Sequence, residues 1–150
     1  MLSTSIPEKR TARLKTQIGS DSYKQIHGMV GESYTYGGAM LETYQAETDG
    51  FKNLDSGNRD TGFDVNDYVL KGKINTNRKD LRYHELELKL NLYDQLSNET
   101  YMGLTQDNFN SDPYRRYSAS QLDQIDVDHR TVQLQHYGQL ADNIDVTTTG

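Results

Sequence analysis

Apolar and polar residues alternate with a period of two along most of the chain. The clearest run is Leu86, Leu88, Leu90 and Leu92 interleaved with Glu85, Glu87, Lys89 and Asn91. Successive side chains of a strand point to opposite faces, whereas a helix spreads residues two apart around its circumference. This run therefore predicts a strand with one leucine face and one charged face. The same alternation sets Ala12, Leu14 and Ile18 against Arg13, Lys15 and Gln17, and Ile26, Gly28 and Val30 against Gln25, His27 and Met29. It sets Ala39, Leu41 and Thr43 against Met40, Glu42 and Tyr44, and Tyr68, Leu70, Gly72 and Ile74 against Lys71, Lys73 and Asn75. Val132, Leu134 and His136 oppose Thr131, Gln133 and Gln135, and Ile144, Val146 and Thr148 begin one more strand.

The connections are unequal. Gly19–Ser22, Tyr34–Gly38, Asn77–Asp80 and Ala141–Asn143 read as short turns, rich in Gly, Asn, Asp and Ser. Asp49–Asp64 and Ser97–Asp128 are long polar segments, the second with a helical turn expected within Ser118–Asp128. The pattern predicts an all-β chain, an antiparallel up-and-down meander of about seven strands. The first, third and fifth links share one end of the sheet and include both long segments, while the even links are all short. Outer-membrane barrels have this asymmetry, with strands of ~9–11 residues.

Composition sharpens this picture. Hydrophobic residues are 33% of the 150, and the chain has 11 Tyr, 12 Gly, 2 Pro and neither Trp nor Cys. Mean hydropathy is −0.89. Disordered chains are similarly polar but poor in aromatics and unpatterned; a barrel needs an apolar residue only at every second position. A net charge of −6 and a pI near 5.1 argue against a nucleic-acid partner. The absence of Cys excludes a disulfide framework and thiolate metal sites. No apolar run reaches the ~18 residues of a membrane helix, which leaves barrels untouched. The start, Met1 to Pro7, has no charged and apolar leader pattern, so the mature start of a secreted chain is expected upstream.

Alternation alone leaves two readings of the polar face, which carries Arg13, Lys15, Glu42, Lys71, Lys73, Glu85, Glu87 and Lys89. In a barrel that face looks into a hydrated or plugged lumen and the apolar face meets lipid. In a soluble β-sandwich, a binding module for a glycan or protein, the apolar face packs inward and the polar face meets water.

Several stretches resemble TonB-dependent outer-membrane receptors, in particular the ferric dicitrate and siderophore branch. Ile6-Pro7-Glu8-Lys9-Arg10 resembles the join between plug and first barrel strand. Thr48-Asp49-Gly50-Phe51-Lys52-Asn53-Leu54 and Asp60-Thr61-Gly62-Phe63-Asp64 resemble the start and return of the second extracellular loop. Ser97-Asn98-Glu99-Thr100-Tyr101-Met102-Gly103-Leu104-Thr105, followed by Asp112-Pro113-Tyr114-Arg115-Arg116-Tyr117-Ser118-Ala119-Ser120-Gln121, resembles the third loop at comparable spacing. The resemblance runs from about Ile6 to Thr149. It implies that residues 1–10 end a plug-to-barrel linker and that 11–150 form the N-terminal part of a transmembrane β-barrel of ~22 strands. The implied activity is energy-coupled uptake of a ferric chelate such as ferric citrate across the outer membrane of a Gram-negative bacterium. The implied partners are that chelate, membrane lipid, the receptor's own plug and, through it, TonB. Plug and remaining strands are expected outside this chain, which is not expected to transport alone.

On that reading Leu14, Ile26, Leu41, Leu70, Leu86, Leu88, Leu90, Leu92, Val132 and Leu134 face lipid. Arg115 and Arg116 are the candidates for an anionic chelate, because a guanidinium is always charged and forks onto carboxylates. Tyr114 and Tyr117 flank them. The plainer expectation is that the two arginines pair with Asp107, Asp112, Asp123 or Asp126. Asp49, Asp55, Asp60 and Asp64 lack the spacing of a calcium loop and read as solvated charge. His27, His84, His129 and His136 are scattered, with no pair at helical spacing, and predict no metal site. The basic residues Lys71, Lys73, Arg78, Lys79 and Arg82 lie toward the short-turn end and read as a polar rim. Tyr23, Tyr36, Tyr68, Tyr83 and Tyr137 fall near strand ends, where an interfacial girdle would want them. No arrangement of nucleophile and base, phosphate loop or cofactor motif points to an enzyme.

Overall fold

The computed structural model describes residues 4–77 and 82–150. The chain is all-β. Its strands are β1 (Thr11–Ile18), β2 (Lys24–Tyr34), β3 (Gly37–Thr48), β4 (Asn53–Leu54), β5 (Phe63–Asn75), β6 (His84–Ser97), β7 (Arg115–Arg116), β8 (Ile125–Ala141) and β9 (Ile144–Thr149). Seven of them form one antiparallel sheet in the order β1-β2-β3-β5-β6-β8-β9, each long strand hydrogen-bonded to the next in the chain. The short β4 and β7 pair in parallel as a separate ladder between the two long loops.

The register aligns the apolar positions. Val30, Leu41, Leu70, Leu90 and Val132 stand opposite one another across five strands. Ala39, Gly72, Leu88 and Leu134 form the neighbouring row. A slip of one residue in any strand would send its apolar set to the other face, so the pattern itself fixes the pairing.

That apolar face is the open one. Leu88 is 41%, Leu92 55% and Val132 73% exposed, and Leu14, Ile26, Leu41, Leu70 and Leu134 are exposed as well. Leu86 and Leu90 are half-buried between their neighbours. The opposite face holds the buried residues Gln25, Met29, Met40, Val69 and Lys71. Residues 4–7 and long neighbouring side chains shield this face, which we call the inner face. Among the described residues no second sheet covers the leucines; a sandwich would set its other layer there.

The inner face is polar and paired. Lys73 Nζ lies 3.0 Å from Glu85 and Lys71 Nζ 3.7 Å from Glu87, each across the β5–β6 ladder. Asn91 donates to Asp67 at 2.5 Å and Tyr93 to Gln95. Opposite charges set side by side across strands satisfy each other where water is thinned. Residues 4–10 form no strand and run over this face. Ile6 is buried with Met29 and Met40, and Thr4 donates to Glu42 at 3.0 Å.

Three expectations need adjusting. The helical turn in Ser118–Asp128 is confined to one 3-10 turn, Ser118–Ser120, while an unforeseen helix α1 covers Gln106–Ser111. Its signal was short: Thr105 accepts from the Asn108 N–H as N-cap, Asp107 sits in the first turn, and Asp112-Pro113 ends it. The tyrosines divide between faces. Tyr36 and Tyr68 are exposed, whereas Tyr23 reaches the buried Gln25 and Tyr83 meets Tyr137 on the inner side. Of the basic residues, Lys71 and Lys73 are paired inside and Arg82 is exposed. Arg78 and Lys79, with most of the turn expected at Asn77–Asp80, lie outside the described residues.

Gly31 is where the first segment presses closest, since an added Cβ would lie 2.8 Å from Pro7 Cδ and 2.9 Å from the Ala39 carbonyl. Gly31→Ala should lift Ile6–Pro7 off the sheet at a cost of ~1–3 kcal/mol. Faster trypsin cleavage after Lys9 or Arg10 is the readout; an unchanged cleavage rate would show that the segment is not held there.

Candidate functional site

The three connections at one end of the sheet are bound into a single cap. The Asp49 N–H donates to the Asp21 carbonyl at 2.9 Å, joining the first turn to the loop 49–62. The Asn98 N–H donates to the Gly62 carbonyl at 2.8 Å, joining that loop to the loop 98–124. The β4–β7 ladder continues the bond, with the Asn53 N–H donating to Tyr114 and the Asp55 N–H to Arg116. The neck of the loop 49–62 needs its two glycines. Gly50 adopts φ +82°, and a Cβ on Gly62 would sit 1.6 Å from the Thr48 carbonyl oxygen. These are the glycines of Asp49-Gly50-Phe51 and Thr61-Gly62-Phe63, each set just before an aromatic anchor.

The two arginines of β7 do different work. Arg116 is only 4% exposed. Its guanidinium donates to the Ser120 hydroxyl at 3.1 Å, the Ser120 carbonyl at 2.6 Å, the Asp123 carbonyl at 3.3 Å and the Asn98 carbonyl. It closes the end of the 3-10 turn and ties it to the start of the loop. Arg115 is half-exposed and forks onto Asp55, with Nε and Nη2 at 2.6 and 3.0 Å from the two carboxylate oxygens. Its Nη1 donates to Asn108 of α1 at 2.8 Å. The expected partners Asp107, Asp112, Asp123 and Asp126 are thus replaced by Asp55, sixty residues away in sequence. Asp123 meets Arg116 only through its main chain. Nothing local in the sequence marks Asp55; the parallel pairing of β4 with β7 brings it there.

The tyrosines also divide. Tyr117 lies under Arg115, whose guanidinium carbon is 5.2 Å from the ring centre, within the range of a cation–π contact. The Thr105 N–H at 3.2 Å and the Asn108 amide at 2.7 Å both donate to its phenol oxygen. These donors, with the Thr105 N–H foremost, hold the Tyr117 phenol below its ordinary pKa, and the Arg115 charge adds to them. Hydrogen bonding to Asp55 pushes the Arg115 guanidinium up. Tyr114 is exposed and packs edge-on against Phe51 at 6.2 Å.

Between the loops lies an open cavity of about 540 Å³, walled by Phe51, Met102, Leu104 and Phe109 with Lys52 and Arg115 at its polar side. A smaller hollow of about 370 Å³ continues toward the sheet past Thr48, Phe63 and Asn98. The polar side of the larger cavity's wall offers an anion Lys52 and the Arg115 guanidinium, the latter already forked onto Asp55. Phe51, Lys52 and Phe109 belong to this wall, and the alternation of strands gave no means of finding them. No protein-family model, curated protein or solved structure matches the chain. The four aspartates of the loop 49–62 and its rim do not converge. Asp55 serves Arg115, Asp60 accepts from Asn98 and the Gly62 N–H, and Asp64 accepts from Asn66. Among the described residues no three acidic or histidine side chains form a metal site.

Arg116→Ala would remove the charged donor from the carbonyls of Ser120, Asn98 and Asp123 and from the buried Ser120 hydroxyl, each such bond contributing ~1.5–3 kcal/mol. A loss of at least ~3 kcal/mol in denaturant unfolding is expected, with the loop 98–124 opening first to protease. Arg115→Ala should leave the fold intact. Equal stability losses for the two variants would contradict this division. Tyr117 gives a separate check. Because its folded pKa is depressed, its ionisation stabilises the loop as pH rises from that value toward 10, and contributes nothing at neutral pH. An absorbance titration should show one phenol ionising before the rest, and Tyr117→Phe should remove that step.

Proposed function

We propose that the chain is a section of the wall of an outer-membrane barrel, a TonB-dependent receptor that takes up ferric chelates of the ferric citrate or siderophore kind. The observation that carries this reading is the apolar row Val30–Leu41–Leu70–Leu90–Val132, exposed except at half-buried Leu90, on the outside of a sheet whose inner face is charged and paired. A soluble protein rarely leaves so broad an apolar face open; hydrocarbon tails would cover it. Strands β2, β3, β5, β6 and β8 have 11 to 17 residues, long enough to cross a bilayer at a tilt. Both long loops leave the same end. The sheet ends in the edge strands β1 and β9, and closing it into a ring of ~22 strands would satisfy those edges.

The course of residues 4–10 supports the remainder. They reach β1 from the inner side, as a linker from a plug inside the lumen would. The loop cap would face the outside of the cell and receive the chelate in the cavity beside Arg115, Lys52 and Tyr117, with Arg116 holding the loop that presents them. Capture would then be followed by rearrangement of the plug, driven through TonB by the inner-membrane proton gradient.

The test compares two faces in the complete receptor. Leu70→Arg should lower barrel stability in lipid vesicles by ~2–4 kcal/mol, while Gln135→Arg on the inner face, opposite Glu87, should leave it nearly unchanged. Uptake of radiolabelled ferric citrate should depend on TonB and fall in Arg115→Ala. A protein that remains a soluble monomer in buffer without detergent would sink the membrane reading. TonB-independent or absent uptake of ferric citrate and other ferric chelates would sink the transport reading.

A further inference from the structure

At the short-turn end of the outer face the sheet brings together two histidines that the sequence keeps fifty-two residues apart. His84 begins β6 and stands opposite Gly138 of β8, while His136 stands opposite Leu86, so the two are diagonal neighbours on one face. His84 Nδ1 and His136 Nε2 are 3.2 Å apart. The rings are tilted by 13° with centres 5.4 Å apart. That separation is too wide for rings in face contact and fits two imidazoles lying end to end in nearly one plane, nitrogen facing nitrogen. Gly138 makes the approach possible. A Cβ there would lie 2.9 Å from His84 Nδ1 and 3.2 Å from His136 Cε1.

We propose that His84 and His136 form a two-imidazole site for a divalent transition-metal ion of the class that prefers nitrogen donors. Two nitrogens bound to one tetrahedral zinc at ~2.0–2.1 Å stand roughly 3.3 Å apart, close to the 3.2 Å already present. Small rotations of the two rings would turn both lone pairs onto a shared ion. In the empty pair one facing nitrogen carries a proton that the other accepts. On binding, that proton moves to the outward nitrogen of its own ring, so both facing nitrogens offer lone pairs to the ion. Each ring then keeps its hydrogen outward, on Nε2 of His84 and Nδ1 of His136. Among the described residues no third histidine or acidic group joins the pair, so water or an external donor completes the shell. Imidazole donors accept Zn²⁺, Ni²⁺ and Cu²⁺, with Cu²⁺ the tightest. The bound ion would staple β6 to β8 beyond the leucine rows, independently of any ligand at the loop cap.

The measurement is calorimetric titration of the detergent-solubilised full chain with Zn²⁺ at fixed neutral pH. One saturable site per chain is expected. His84→Gln, His136→Gln and the double variant should each weaken it by at least ~10-fold, and by similar amounts, because one lost ligand breaks the chelate. His129→Gln should bind like the parent. Gly138→Val keeps both ligands but pushes the rings apart, so it should also weaken binding while circular dichroism reports an intact sheet. No saturable binding, or binding that survives in the double variant, would overturn the assignment.

Discussion

Everything in this molecule depends on the strand register. Antiparallel pairing places Leu41 beside Leu70 and Leu70 beside Leu90, and with that the leucines of the alternation fall on one face. The other face then receives both signs of charge, at positions where Lys71 meets Glu87 and Lys73 meets Glu85. The two consequences are inseparable. A slip of one residue would set lysines among leucines on one side and leave leucines among carboxylates on the other. The paired inner face and the open outer face are thus one decision, made by the period of the sequence.

Burial in this sheet is inverted relative to a soluble protein. Lys71 and Gln25 are among its least accessible residues, and Val132 and Leu92 among its more accessible ones. Lys71 and Lys73 tolerate this because Glu87 and Glu85 partner them across the ladder, and residues 4–7 cover part of the face with Ile6 set on Met29 and Met40. The outer leucines have no such cover among the described residues. An environment that is itself apolar would resolve the inversion without any change of fold.

The strands were legible because the period of two is strong and local. Leu86 to Leu92, Ile26 to Val30 and Val132 to His136 each declare a face within a few residues, and the short turns between them carry the glycines, asparagines and aspartates that turns require. The long loops were not legible in the same way. The parallel pairing of Asn53–Leu54 with Arg115–Arg116, the fork of Arg115 on Asp55 and the carbonyl cage around Arg116 all join positions remote in the chain. No short-range pattern encodes them. The sequence marked Arg115 and Arg116 together; only their surroundings separate a half-open cation beside a cavity from a buried clamp. The two histidines follow the same rule, for their meeting is a product of register and of the missing side chain at Gly138.

The central claim is that the leucine face touches hydrocarbon, and the chain contains no tryptophan to confuse a fluorescent probe. Single tryptophans placed at Leu70, Leu88, Val69 or Gln133, in protein reconstituted into vesicles with brominated acyl chains, report contact with lipid directly. Strong quenching at Leu70 and Leu88 with little at Val69 and Gln133 is the predicted alternation. Equal quenching at all four positions, or none at the leucine positions, would contradict it.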